Sequence, residues 1–158
     1  MADMNIARTV EEAVPLGLIP TVFQPRLEAL SSAKSWMGWA GYQSAVVIEN
    51  MEFEYFAIRN QSTLFDVSPM HKYRIQGADA EAMLNRMMTR DVRKIRPGRV
   101  GYTLWCDEEG MVIYDGTLFR FGPDDFRLCC QERMLGWVLD AAWGFDVSVT
   151  DESETISG

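Results

Sequence analysis

Val100-Gly101-Tyr102-Thr103-Leu104-Trp105-Cys106-Asp107-Glu108-Glu109-Gly110-Met111-Val112-Ile113-Tyr114-Asp115-Gly116-Thr117-Leu118-Phe119-Arg120-Phe121 decides the fold of this 158-residue chain. β-branched and aromatic residues crowd both halves, and the polar Asp107-Glu108-Glu109-Gly110 between them offers a glycine for the positive φ of a hairpin. Residues 100–106 and 111–121 therefore read as paired antiparallel strands, and Gly122-Pro123-Asp124-Asp125 turns the chain into a third strand at 126–130. Upstream, apolar and charged residues alternate over 71–75, and residues 79–88 place Ala82, Met83, Leu84 and Met87 along one helical stripe. Downstream, residues 132–143 carry Met134, Leu135, Val138, Leu139 and Ala142 on one face; Gly144 caps this helix and 145–149 forms a closing strand. Strand, helix, three hairpin-joined strands, helix, strand is an α+β order. It predicts an antiparallel sheet with helices on one face, close to the split β-α-β arrangement of ferredoxin-like domains.

The first fifty residues have a different texture. Pro15, Gly17, Pro20 and Pro25 interrupt short apolar pieces, which predicts an N-terminal arm over 1–50, irregular at first, ahead of a compact domain over 51–158. A short helix is expected within 26–36. The aromatic, glycine-containing Trp36-Met37-Gly38-Trp39-Ala40-Gly41-Tyr42 is expected to pack as a stitch onto a core or another domain. From Met51, Phe53, Phe56, Ala57, Leu64 and Phe65 recur at helical intervals up to Ser68-Pro69. The polar end, 151–158, would fray unless something docks on it.

Net charge of -8 argues against nucleic acid and anionic membranes as partners. No apolar run approaches the roughly 20 residues of a membrane span, and Asp3, Glu11 and Glu12 are foreign to a signal peptide, so the cytoplasm is the expected compartment. Three cysteines, two of them adjacent, make neither a disulfide framework nor a metal-ligand spacing; buried thiols are expected, and no metal. His71 has no ligand-bearing neighbours in sequence and reads as a surface or half-buried strand residue. Arg86, Arg90, Arg93, Lys94, Arg96 and Arg99 form a basic run, a solvated loop able at most to attract a small carboxylated ligand.

Asp115 stands apart from the other acids. The turn acids serve backbone geometry, whereas Asp115 lies mid-strand among apolar residues, where burial costs several kcal/mol unless the carboxylate is hydrogen-bonded or paired. Gly116 beside it marks a bulge or a close approach by another backbone or a ligand.

These residues sit in a pattern that resembles the glycine-cleavage T-protein family, which contains tetrahydrofolate-dependent aminomethyltransferases. The likeness runs through Ala57-Ile58-Arg59-Asn60, Phe65-Asp66-Val67-Ser68-Pro69-Met70, Gly77-Ala78-Asp79-Ala80, Met88-Thr89-Arg90-Asp91-Val92, Pro97-Gly98-Arg99, Tyr102 and Glu109-Gly110-Met111-Val112-Ile113-Tyr114-Asp115. Such ordered coverage is more specific than any single motif. The resemblance is to the first part of a longer folate-binding fold whose further domains surround a central opening. It implies that C-terminal domains or a partner subunit complete the site, and that this chain alone is inactive and binds folate weakly or not at all.

Residue by residue, the resemblance makes Asp115 the catalytic carboxylate facing the reacting end of folate. Tyr102 lies beside the pterin, Met70 forms pocket wall, and Gln131 stands where relatives often have asparagine. Thr117 and Phe119 share the strand face of Asp115 by period-two alternation, as pocket-lining residues should. Pro69 replaces a histidine usual in the family, and Tyr114 replaces the first of two tandem aspartates. The Tyr114-Asp115-Gly116 sequence looks more like folate-dependent demethylases of the same superfamily, which take methyl groups from small oxygen, sulfur or nitrogen donors. Three readings stay open: one-carbon transfer to tetrahydrofolate from a small donor, a folate-binding module without chemistry, and an assembly module docking through residues 36–42.

Overall fold

The computed structural model describes residues 17–158, so the expectations for the first sixteen residues lie outside it. Backbone contacts divide the chain into two compact units that meet between Phe65 and Asp66, fifteen residues later than the boundary expected at 50/51.

From residue 17 the first unit is more regular than the arm expected over 1–50. Its elements are β1 (Ile19–Pro20), α1 (Gln24–Leu30), β2 (Ser35–Trp39), β3 (Tyr42–Val47) and α2 (Met51–Asn60). The aromatic segment is a hairpin: Ala40 and Gly41 both take positive φ, 50° and 85°, the turn that matches strand twist, so Trp36 and Trp39 become strand residues facing Ala45 and Tyr42. β1 pairs parallel to β3 on the other side, where edge placement accommodates Pro20. Asn50 caps α2 by accepting from Glu52 N and Phe53 N at 3.0 and 3.2 Å. The helix stops at Asn60, short of the expected reach toward Ser68, because Asn60 Nδ2 turns back onto the Phe56 carbonyl and Gln61 is extended.

The second unit is the expected α+β domain. β4 (His71–Gln76), α3 (Ala80–Met87), β5 (Arg99–Cys106), β6 (Val112–Gly122), β7 (Asp125–Cys130), α4 (Leu135–Ala141) and β8 (Ser148–Asp151) build one sheet in the order β5-β6-β7-β4-β8. Every neighbouring pair is antiparallel. β7 and β8 are consequently parallel to each other, joined through α4 with β4 inserted between them, which is the split β-α-β connection. α4 starts three residues later than expected because 131–134 is tied to the sheet: Met134 N donates to Tyr73 Oη at 2.9 Å and Cys130 Sγ donates to the Glu132 carbonyl. β8 likewise begins at Ser148 rather than 145, since the Phe145 ring lies under the Arg86 guanidinium, 5.2 Å away.

Alternation sorts the sheet into two faces. Tyr73, Ile75, Trp105, Leu118, Phe126, Leu128 and Cys130 point toward α3 and α4 and are buried with Met83, Leu84 and Val138. Arg120 is also on this face and also buried. It meets Glu81 at 2.6 Å, donates to the Ile95, Gly122 and Pro123 carbonyls, and covers the Phe126 ring at 5.0 Å, fastening α3 and two loops to the sheet. Lys72, Arg74, Tyr102, Leu104, Asp115, Thr117, Phe119, Arg127 and Cys129 point the other way, with no helix of this unit over them. The thiols are free: Cys130 is buried, whereas Cys106 and Cys129 are only half-buried, a correction to the expectation for all three.

Candidate functional site

The open face of the five-stranded sheet gathers most of the residues singled out from the sequence. Tyr102 and Thr117 are register partners on β5 and β6, and Asp115 is two residues from Thr117, the diagonal at which long side chains meet. Tyr102 Oη donates to Asp115 Oδ2 at 2.8 Å. This hydrogen bond, with burial second, raises the Tyr102 pKa and keeps the phenol a donor. Asp115 is half-buried and so escapes the full cost of burial. Gly116 marks a close approach rather than a bulge: a Cβ there would lie 2.5 Å from the Cys129 carbonyl oxygen, so β6 and β7 close up only because residue 116 has no side chain.

A cavity of about 220 Å³ opens beside this pair, lined by Met70, Thr117 and Phe119 together with Val67, Lys72, Arg127, Cys129 and Ile156, Ser157 and Gly158. Three expected site residues are thus in one wall, and Tyr102 and Asp115 continue the same face next to Thr117. Gln131 is not part of it. It is exposed past the end of β7 and lines no described cavity. Tyr114 points to the helix side, its ring 6.2 Å from Trp105. His71 is half-buried at the start of β4, and burial is the main cause that lowers its pKa.

Sequence reasoning missed Lys72, Arg127, Cys129 and the end of the chain. Alternation places Lys72 and Cys129 in register on the open face, a signal present but unused. Lys72 is 5 % exposed; its Nζ donates to the Ser68 and Met70 carbonyls at 3.0 and 2.7 Å, and burial lowers its pKa. Burial raises the Cys129 pKa, opposed by Lys72 and Arg127. The polar end docks. Lys72 N donates to Ser153 Oγ, Glu152 N to the Lys72 carbonyl, and Val67 N and Ser68 Oγ donate to the Gly158 carbonyl at 3.2 and 3.3 Å. No alternation pattern could announce this, because the contact joins residues ninety positions apart.

A second cleft of about 370 Å³ lies between α3, α4 and the β5–β6 turn, lined by Arg86, Met87, Cys106, Asp107, Glu108, Trp137, Asp140 and Ala141. It is larger, but Asp107 is committed to the turn, accepting from Glu109 N and Met111 N. None of the expected site residues reaches it.

Comparison with known proteins gives the family and the fold. The model of the GCVT N-terminal domain matches residues 20–158. The chain belongs to the GCVT N-terminal domain family. Among curated GCVT relatives, an aminomethyltransferase of Clostridium botulinum (strain 657 / Type Ba4) is 32% identical over 123 residues, covering 75% of this chain and 33% of that protein. One of Geobacillus thermodenitrificans is 35% identical over 119 residues, covering 73% and 32%. The chain therefore spans about a third of the length of these relatives. The crystal structure of the glycine cleavage system aminomethyltransferase T from Bartonella henselae superposes with a TM-score of 0.71 at 18% identity, over 85% of this chain and 38% of that one, which shows a shared fold. Among the described residues no helix is long and apolar enough to cross a membrane.

Proposed function

We propose that this GCVT domain supplies the ring-binding wall and the acid-base carboxylate for one-carbon transfer to tetrahydrofolate. The observation that carries the reading is the Tyr102–Asp115 pair set beside a cavity walled by Met70, Thr117 and Phe119 on one sheet face. The aminomethyltransferase relatives support the reaction class. The cavity, about 220 Å³, falls below the roughly 300–1,000 Å³ of whole-ligand pockets, a size for a flat ring rather than for the entire cofactor. Further domains or a partner subunit are needed for the rest of the site.

Bound tetrahydrofolate would supply the nitrogen that accepts the one-carbon unit. Within the chain, Met70 and Phe119 grip a flat ring and exclude water from its faces. Tyr102 holds the Asp115 carboxylate in one orientation. Asp115 in turn orients the accepting amine and takes the proton that leaves it as the carbon–nitrogen bond forms, while the donor's carbon–heteroatom bond breaks and the heteroatom departs with the bonding pair and a proton. The donor is a small molecule carrying an aminomethyl group, or a methyl group on oxygen, sulfur or nitrogen. The second of these is the reading favoured by Tyr114-Asp115-Gly116.

The test is Asp115→Asn in the chain together with the domains or subunit that complete it. The amide keeps shape but takes no proton, so turnover is expected to fall by about a hundred- to ten-thousand-fold while folate affinity changes little. Unchanged turnover would make Asp115 a structural residue and leave a binding module without chemistry as the better account.

A further inference from the structure

Every lining residue of the larger cleft, about 370 Å³, belongs to the second unit, so its walls are present in this chain by itself. Its volume lies within the roughly 300–1,000 Å³ of sites that take a whole small molecule. Both signs of charge share it: Arg86 comes from α3, Glu108 from the β5–β6 turn and Asp140 from α4. Opposite charges lining one space ordinarily close into ion pairs, yet among the described residues none forms between them. Arg86 is held instead over the Phe145 ring, 5.2 Å away, and the third acid, Asp107, is engaged by the amides of Glu109 and Met111. The carboxylates of Glu108 and Asp140 have no hydrogen-bond or ion-pair partner among the described residues. Trp137, Met87 and Ala141 supply the apolar part of the wall.

A simple anion entering this space would meet unanswered carboxylates, and a simple cation would meet the guanidinium. A small molecule that carries both charges answers both. We propose that the cleft is a binding site for a zwitterionic α-amino acid with an apolar side chain. Its carboxylate accepts from the Arg86 guanidinium, its ammonium donates to Asp140 and Glu108, and its side chain lies against Trp137 and Met87. The site is independent of the folate reading, because tetrahydrofolate carries carboxylates but no ammonium and leaves the acids of this cleft without a partner. Arg86, Glu108 and Asp140 are exposed, so each charge of the ligand contributes on the scale of a solvent-exposed ion pair, about three- to fivefold in affinity.

Three probes that share one alkyl group test this: L-leucine, isoamylamine, which lacks its carboxylate, and isocaproate, which lacks its ammonium. Dissociation constants are read at neutral pH and low salt from the Trp137 indole N–H resonance of the isotope-labelled chain, with the indole of Trp105, buried in the core, as a check that each variant is folded. L-Leucine is expected to give a saturable shift and to bind about fivefold tighter than either single-charge probe. Arg86→Gln should bring leucine to within about twofold of isoamylamine without weakening isoamylamine. Glu108→Gln combined with Asp140→Asn should bring it to within about twofold of isocaproate without weakening isocaproate. Isoamylamine or isocaproate binding as tightly as leucine to the unaltered chain would overturn the proposal, since only one charge would then be recognised. So would equal binding of all three probes, which would leave an apolar surface alone, or the absence of any saturable shift with leucine.

Discussion

The two faces of the five-stranded sheet are drawn from the same strands one residue out of phase, yet they are built to different rules. On the helix side, Trp105, Leu118, Phe126 and Leu128 are buried, and the buried charge of Arg120 is fully answered by Glu81 and three carbonyls. On the open side the side chains are mixed in polarity and half-exposed. One charge, Lys72, is buried there, its ammonium hydrogen-bonded to two backbone carbonyls. A side chain that spends all its bonding capacity inside the fold holds the fold; one left with spare capacity beside a cavity is available to a ligand. The comparison teaches where to look for function: on the face whose polar groups are ordered but not exhausted.

The sharpest way to break the comparison is by core truncation. Phe126→Ala should cost about 3–5 kcal/mol by denaturant unfolding, whereas Phe119→Ala across the sheet should cost about 1 kcal/mol. Equal losses would mean that the open face is as much core as the other. Next in size are the ion pairs. Arg120→Met, which strands three carbonyls and Glu81, should destabilise by about 2–3 kcal/mol, against about 1 kcal/mol or less for Arg127→Met, whose partner Glu152 can return to water.

Alkaline pH offers a third contrast. Burial pushes both Tyr73 and Cys130, on the helix side, up to about 12. The unfolded chain sheds these protons near their ordinary values while the folded chain keeps them. Stability is therefore complete below about pH 8 and declines as pH rises toward 12, by on the order of 2 kcal/mol for Tyr73 and 4 kcal/mol for Cys130. Tyr73→Phe should flatten the decline above pH 10 in urea midpoints measured across that range, and an unchanged slope would show that burial does not govern it. Smallest of all, Asp115→Asn should alter stability by less than about 0.5 kcal/mol, since the half-exposed carboxylate is held by a single phenol. A large loss would mark Asp115 as a fold-holding residue despite its face.

Much of this division was legible in the residues themselves. Alternation along 111–121 put Thr117 and Phe119 on the strand face of Asp115. An aspartate next to a glycine in an apolar strand is odd enough to single out Asp115 from sequence. What stayed hidden depends on contacts between distant residues. Trp36 to Tyr42 looked like a stitch because aromatic residues mask the period of a strand, and only the left-handed Ala40–Gly41 turn reveals the hairpin. The docking of Gly158 on Ser68 and the capture of Lys72 by the turn before it leave no local pattern. Gln131 was placed by resemblance alone, and the way 131–134 is drawn toward Tyr73 leaves it exposed.

The central claim, that the open face is the ligand face, is tested most directly by isotope-labelling the chain, joining it to the domains or subunit that complete the site, titrating with tetrahydrofolate and following the labelled amide resonances. Saturable shifts are expected at Met70, Lys72, Thr117, Phe119, Cys129 and Gly158, with the helix-side cleft at Arg86, Glu108 and Trp137 silent. Shifts confined to that cleft, or none that saturate, would contradict the account.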